Sequence, residues 1–546
     1  MSRRCAKVAF LNVIFVLSVA TPALSADVDE PLITPTEWLA RQPAPLFRDG
    51  HTLPRLTRYG WSLPFDLRVR LAEDWGYALS FSGYATSEAV ENALSRPKSE
   101  NGRVLALAAS DSERYPLSVI LSRRMPKHMP KQETSSGWLS SSDGNIVRPK
   151  RWSPAASDAA LTVLAEVRAA PMRRLARVVS PQIVLNGGEY GVGVLGFSAE
   201  AFASDPKVVS DKGDRDWFTY VSQAKAREQF TIRSAVDAAL PEAFHYVFYV
   251  SGGGPHRGRD LNWRHWEYDY AAMRGLSTLP SNGFYYREFN SGWLKDGSKG
   301  GLLGQGLNWL KGRRKGDLLT QALNAKGIEI AAGDRYSYDW VSGGWHGKTA
   351  GIHGGAGGAA LVAGSSPRLS DIALYTGFLR CLYLAGTLGA NGGYYAFPKG
   401  GFKRPFHSAA PPHWLLQLVA LGRVHALFSH LEPFVRASHL EPGPDRHAWG
   451  DEPAYELANG HANVRILARR HDTASLWLMI VWAADGIERD VTASLPGFAG
   501  IPLHAAPQGR LYIIDARGGT PLATPLDEQL PVLGLSPELY RFFEPG

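Results

Sequence analysis

The run Pro181-Gln182-Ile183-Val184-Leu185-Asn186 breaks at Gly187-Gly188, and a carboxylate, Glu189, stands at the break. The apolar residues read as a buried strand. The glycines let the backbone turn sharply and let a ligand approach it. A second run, Ile328 to Gly333, ends on Asp334, and Asp339 follows in an aromatic stretch with Tyr336, Tyr338 and Trp340. Glu288 lies near the end of a third, Phe284 to Phe289. Two carboxyl groups can divide acid–base work when their environments differ. One keeps a proton to donate, and the other stays ionised as base, nucleophile or stabiliser of positive charge. Glu189, beside Tyr190 at an apolar strand end, is placed to hold a proton. Asp334, followed by Arg335, is placed to stay ionised. Each has an ordinary reading too: a loop glutamate, an aspartate capping the turn after Gly333, and an Arg287–Glu288 ion pair.

The elements that must carry these groups follow from hydrophobic periodicity. Short apolar runs alternate with helical patterns from about residue 55 to about residue 430. Strands are predicted at 56–61, 77–83, 116–122, 182–186, 245–250, 284–289, 328–334 and 393–398. Helices are predicted at 64–75, from 86, and at 157–179, 216–240, 317–326, 371–388 and 412–431. Such strand–helix pairs in sequence make the fold class α/β, a (β/α)8 TIM barrel, with Glu189 past the fourth strand and Asp334 ending the seventh. A doubly wound sheet would carry a glycine-rich loop after its first strand, and none occurs here. After Pro442-Gly443-Pro444 the pattern changes to strands at 464–470, 475–482, 490–495 and 509–514 with no helix between them, an antiparallel β-sandwich. The expected division is a signal peptide over 1–26, the barrel over 27–440 and the sandwich over 441–546.

A carboxylate after the fourth strand and another at the seventh resembles the large clan of retaining glycoside hydrolases on TIM barrels. Many of those enzymes carry a β-sandwich after the barrel. The resemblance implies Glu189 as acid/base and Asp334 as nucleophile, with Asp339 and Glu288 next in order. It also implies that Tyr286 donates a hydrogen bond to the nucleophile. The implied protein is an exported glycosidase that degrades a poly- or oligosaccharide. The chain departs from the clan at two points: Gly187-Gly188 separates Asn186 from Glu189 where the clan has an Asn-Glu dipeptide, and aspartate replaces the usual glutamate nucleophile. Carboxyl separation decides the outcome, roughly 5–5.5 Å for retention and roughly 6.5–9.5 Å for inversion.

Sugar rings are held by aromatic faces, with polar partners for their hydroxyls. The chain has 16 Trp, 21 Tyr, 22 Phe and 57 Gly, with many aromatics beside glycines in predicted loops. Trp61, Tyr249, Trp263, Trp293, Tyr336, Tyr338, Trp340, Trp345 and Tyr395 fall at one end of the predicted barrel, together with His346. Asn186, Asn262, Asn290 and Asn391 are the candidate hydroxyl binders.

Two other classes keep the same aromatics. One is a non-catalytic carbohydrate-binding or polysaccharide-export protein on a degenerate barrel. The other is a polysaccharide lyase, which needs a Tyr or His base and a cation to neutralise a uronate. The net charge of +8 is dispersed and admits an anionic polysaccharide as partner, while no nucleic-acid-binding motif occurs. No cofactor is expected. No His/Cys/Asp/Glu group has the spacing of a metal site, and no G-x-S-x-G elbow points to a serine hydrolase.

The first 26 residues carry Arg3, Arg4 and Lys7, an apolar core and small residues near Ala26, which reads as a secretory signal and hence a periplasmic or secreted product. No later run is long enough for a membrane span. Cys5 would leave with the signal and Cys381 would remain unpaired. Stability must then come from a large core, which about 520 residues can supply.

Overall fold

The computed structural model describes residues 31–57, 63–121, 152–187, 205–250, 272–279, 281–285, 337–342, 372–392, 402–443, 455–461 and 463–526. For 187, 249–250, 281–285, 337–342, 390–392 and 413 the description is of the backbone alone. A short strand β1 (Leu32–Ile33) precedes helix α1 (Pro35–Ala40), whose N-terminus carries a reciprocal Thr34–Glu37 capping box. Then come α2 (Phe65–Asp74), β2 (Leu79–Ala85), α3 (Ser87–Ser95), α4 (Glu100–Ser110), β3 (Leu117–Leu121) and α5 (Asp158–Leu175). The middle of the chain supplies β4 (Ile183–Gly187), α6 (Pro206–Lys212), α7 (Trp217–Ala239), β5 (His245–Val250), β6 (Ser281–Tyr285) and β7 (Ser337–Ser342). Next are α8 (Ile372–Leu384), β8 (Thr387–Gly392), β9 (Phe406–His407), which pairs with β1, and α9 (His413–Arg436). Side-chain caps mark where helices begin: Thr86, Ser99, Ser157 and Asp216 each accept a backbone N–H three residues on.

Strands β2 to β8 form one seven-stranded sheet in sequential order, every pair parallel. A further parallel bridge joins Leu56 to Tyr77 just before β2, where the first strand was expected. Sequential order without reversal is that of a singly wound (β/α)8 sheet and excludes a doubly wound order for these strands. Alternate residues enter two separate cores. Leu79, Phe81, Leu117, Val119, Val184 and Phe248 pack with the helix residues Val90, Val104, Leu175 and Val236. Ile120, Ile183, Leu185 and Val247 join a different cluster with Leu56 and Ala78. Burial on both faces is why β3 and the apolar part of β4 read as continuous hydrophobic runs.

Two predicted strands are displaced. The seventh place in the sheet belongs to Ser337–Ser342, between β6 and β8, and not to the apolar run 328–334, which lies outside the described residues. The eighth is Thr387–Gly392 rather than 393–398. Helix α8 stops at Leu384, and Gly386 at φ +110° makes the turn, so residues assigned by periodicity to the end of the helix begin the strand. The sixth strand likewise begins at Ser281, three residues before the predicted start.

After α9 the chain enters β10 (Ser438–Leu440), β11 (Val464–His471), β12 (Leu476–Ala483), β13 (Arg489–Leu495), β14 (Phe498–Ala505), β15 (Arg510–Asp515) and β16 (Leu522–Pro525). Strands β10-β11-β12-β15-β16 make an antiparallel sheet, and the β13–β14 hairpin shares a core with it through Ile466, Met479, Val481, Val491, Ile501, Leu503 and Ile514. The other face of the sheet, with Leu467, Leu478, Ile480 and Trp482, packs in the same cluster as Phe378, Leu382 and Leu431 of α8 and α9. Every residue of β12 is therefore buried. Strands β10, β14 and β16 were not anticipated. β14 alternates buried Ile501, Leu503 and Ala505 with exposed Pro502 and half-buried His504, but Gly500 and Pro502 read in sequence as turn residues. Arg469 binds this sheet to the α/β domain by donating to the Leu384 carbonyl at 3.0 Å, and within the sheet it donates to the Ser438 carbonyl of β10 at 2.7 Å. No helix among the described residues is long and apolar enough to cross a membrane.

Candidate active site

Parallel strands bring their C-terminal ends to one edge of the sheet, and the candidate carboxylate closest to a described strand end follows β4. Gly187 is the last residue of β4 and pairs with Tyr249 of β5, so Glu189 lies two residues beyond a strand end in sequence. Tyr249 pairs in turn with Ser281 of β6, and Gly283 of β6 pairs with Trp340 of β7. Extending that register back by two residues sets Ser281 level with Tyr338, so Asp339 stands one residue beyond the backbone row that runs through Gly187. Asp339 itself pairs with Ala390, and Trp340 with Asn391. Asp334 precedes β7 in the chain, which removes the strand-end placement expected for it.

Asn186 is the candidate whose side chain is described. It is buried, and its Nδ2 donates to Gln229 Oε1 of α7 at 2.7 Å and to the Tyr246 hydroxyl of β5 at 2.8 Å. Its direction is that of Val184, toward the helix layer, because strand side chains alternate. The expected role as a binder of substrate hydroxyls does not agree with that direction. Tyr249, Tyr338, Asp339, Trp340 and Asn391 have described backbones in β5, β7 and β8. Glu189, Glu288, Asp334, Trp61, Trp263, Tyr286, Trp293, Tyr336, Trp345, His346, Tyr395, Asn262 and Asn290 lie outside the described residues.

Sequence reading missed a bulge near the same end of the sheet. Ser80 pairs with Ser118 and Tyr84 with Ile120, so β2 carries two residues more than β3 between these rows. Gly83 takes φ +78° there, a conformation that only glycine adopts without strain. The side chain of Asn101 on α4 replaces the missing ladder partner: its Oδ1 accepts from Ser82 N at 2.8 Å and its Nδ2 donates to Ser82 O at 3.1 Å. Buried Arg68 of α2 donates to the Ser80 carbonyl at 2.9 Å and to Glu100 at 3.1 Å. Bulges of this kind re-aim side chains at strand ends. A glycine inside a strand pattern was the signal that could have revealed it.

No protein-family model matches the chain, and no curated protein matches it in sequence. Distant likenesses to solved TIM-barrel glycoside hydrolases exist. One is a noncanonic maltogenic α-amylase from Thermotoga neapolitana, at 10% identity and TM-score 0.37, covering 78% of this chain and 81% of the amylase. Another is a fungal β-1,4-galactanase, at 11% identity and TM-score 0.29, covering 58% and 82%. A third is the catalytic domain of β-amylase from Paenibacillus polymyxa, at 10% identity and TM-score 0.29, covering 53% and 79%. Scores this low carry no weight for site or activity.

Other titratable groups gather where the segment preceding the first strand lies on α9. Glu432 accepts from Arg48 Nη2 at 2.9 Å, Thr52 N at 2.9 Å, Thr52 Oγ1 at 2.5 Å and Arg436 Nε at 2.8 Å. His425 meets the Tyr383 hydroxyl at 2.9 Å, and burial pushes its pKa down to about 3, so the ring is neutral. The His430 ring contacts the Leu46 carbonyl at 3.1 Å. These groups lie beside Pro54, Gly76 and Tyr77, at the start of the first strands and away from the C-terminal end of β4. Cys381 is buried, which pushes its thiol pKa well up and makes it a poor nucleophile. Among the described residues no three His, Cys, Asp or Glu side chains converge as a metal site.

Proposed function

We propose that this chain is an exported glycoside hydrolase acting on a poly- or oligosaccharide from a closed (β/α)8 barrel, with Glu189 as general acid/base. The observation that carries this reading is the end of β4 at Gly187 within a sequentially ordered parallel sheet. In such sheets catalytic groups stand just past the C-terminal ends of strands. Asp334 precedes the seventh strand, Ser337–Ser342, and Asp339 shares the register parity of Asn186 and Phe248, so neither is the first choice for the partner carboxylate. Glu288, three residues past the end of β6, takes that place. Cleavage of an acetal then needs a proton from Glu189 on the leaving oxygen and an ionised carboxylate beside the developing oxocarbenium ion. Tyr249 of β5, Tyr338 and Trp340 of β7 and the aromatic residues of the segments beyond these strands are proposed to stack on sugar rings. Export follows from residues 1–26, whose composition is that of a secretory signal.

The test is a panel of neutral and anionic polysaccharides incubated with purified protein, followed by the same panel with Glu189→Gln, Glu288→Gln, Asp339→Asn and Asp334→Asn. Glu189→Gln is expected to lose ~10²–10⁴ in kcat while binding is kept, since the amide holds the shape but has no proton to donate. Glu288→Gln should be as damaging, and Asp339→Asn and Asp334→Asn mild. Glu189→Gln within about tenfold of wild type would remove Glu189 from the mechanism.

A further inference from the structure

A polar chain runs behind the end of β4, in a layer that is otherwise apolar. Asn186 Nδ2 donates to both Gln229 Oε1 and the Tyr246 hydroxyl, and Gln229 Nε2 donates to Glu228 Oε1 at 3.1 Å. Asn186, Glu228 and Gln229 are at most 2% exposed, and Tyr246 is fully buried. Burial drives the Tyr246 pKa well up, so it stays a neutral phenol, and the Arg233 guanidinium lies 4.6 Å over its ring. The neighbouring positions of the same face are Val184 and Phe248, with Ile232 and Val236 on the helix. Asn186 Oδ1 has no hydrogen-bond partner.

Apolar side chains at 186, 229 and 246 together would fill this layer with no acceptor unmatched, whereas the observed set leaves Asn186 Oδ1 unpaired, so core stability alone does not call for these polar groups. The amide does something an apolar group cannot. From the last side-chain-bearing position of β4 it holds α7 and β5 at once, by directional bonds, and the next two residues are glycines that impose no direction of their own. The backbone direction at Gly187 is thus set from behind the sheet, one residue before Gly188 and two before Glu189.

We propose that Asn186, Gln229 and Tyr246 are positioning residues that aim the segment carrying Glu189 at the leaving-group oxygen. This rests on the assignment of Glu189 as the acid. Such groups must be held within a fraction of an ångström, and their supports commonly lie behind them.

Tyr246→Phe removes a single oxygen from the chain and keeps the ring, and Asn186→Leu removes both donors at similar volume. Each is assayed on 2,4-dinitrophenyl and 4-methoxyphenyl glycosides of the sugar released from the polysaccharide, with urea unfolding run alongside. The dinitrophenolate departs without a proton, whereas the methoxyphenolate needs one. The expected result for Tyr246→Phe is a loss of tenfold or more in kcat/KM on the methoxyphenyl glycoside, with kcat/KM on the dinitrophenyl glycoside within about twofold of wild type, since kcat/KM reports the bond-cleaving step and not the later attack of water. Equal losses on both substrates, or a lowered unfolding midpoint with unchanged rates, would show a purely structural chain and overturn the proposal. Should Asn186→Leu fail to fold, Tyr246→Phe decides alone. A fully active Glu189→Gln, or no hydrolysis anywhere on the panel, overturns the acid assignment and this proposal with it. An inactive Glu189→Gln with leaving-group-independent losses in Tyr246→Phe overturns this proposal alone.

Discussion

Gly377 lies within α8 where that helix meets β12, and replacing it by alanine sets two physical effects against each other. Helix propensity favours alanine over glycine by about 1 kcal/mol, so an exposed helix would gain stability. Here the new Cβ would fall inside contact distance of the Trp482 ring and 2.5 Å from the Pro507 carbonyl oxygen. Neither can yield easily. Trp482 is fully buried and its Nε1 donates to that same carbonyl at 2.8 Å, while a Cβ on the facing Gly509 would itself sit 3.0 Å from Gly377 Cα. Overpacking of this kind costs ~1–3 kcal/mol. Displacing the indole weakens a hydrogen bond worth about 1 kcal/mol. Set against the propensity gain, the expected net loss is about 2 kcal/mol. Urea unfolding followed by tryptophan fluorescence reads it: with a slope near ~3 kcal/mol/M the midpoint should fall by ~0.7 M. In a Trp482→Leu background the cost of the same substitution should shrink without vanishing, because the Pro507 carbonyl oxygen still lies 2.5 Å from the new Cβ. A midpoint that rises in the otherwise wild-type protein would refute the intimate contact between α8 and the C-terminal sheet.

Glu432→Gln should destabilise the protein by ~3 kcal/mol at pH 7, since it strips the charge from a buried acceptor of two arginines. Burial pushes the Glu432 carboxyl up, but hydrogen bonds from Thr52 and Arg436 outweigh it and hold the pKa below the ordinary range. This contribution is present above the unfolded value of ~4.3 and is lost as pH falls through the folded one, so the variant's unfolding midpoint should depend less on pH below about 5. His425 behaves with the opposite charge and the same pH trend. Its folded pKa of about 3 lies below the unfolded 6.5, so the unfolded chain takes the proton first. Stability should therefore drop by up to ~1.4 kcal/mol per unit as pH falls from 6.5 toward 3, a slope that His425→Gln should flatten. An unchanged slope in the variant would mean that the ring is not held neutral.

The elements legible in the sequence are those whose pattern is local and whose burial is extreme. β3 and β5 lie at or within a residue of their predicted positions, as do the starts of α7 and α9, because an apolar run bounded by caps and turns has one reading. β12 was legible for the same reason: both of its faces are covered. β7 was not. Ser337-Tyr338-Asp339-Trp340-Val341-Ser342 is less apolar than 328–332, and its place in the sheet is fixed by pairing with β6 and β8, chain segments some fifty residues away on either side. β8 was hidden by a helix that ends early at a glycine turn.

The residue types alone determined that carboxylates follow glycine-rich breaks in an α/β chain and that a helix-free β domain closes it, since composition and periodicity need no partner to be read. Which carboxylate stands on the seventh strand, and which way Asn186 points, only tertiary structure decided. A one-residue change of register reverses every side chain on a strand, and register is set by neighbours far away in sequence. The same holds for the Asn101 clamp on β2 and the Glu432 cluster on α9. Each joins groups that carry no mark in their own segments, and each became visible only where the fold brought an acceptor against its donors.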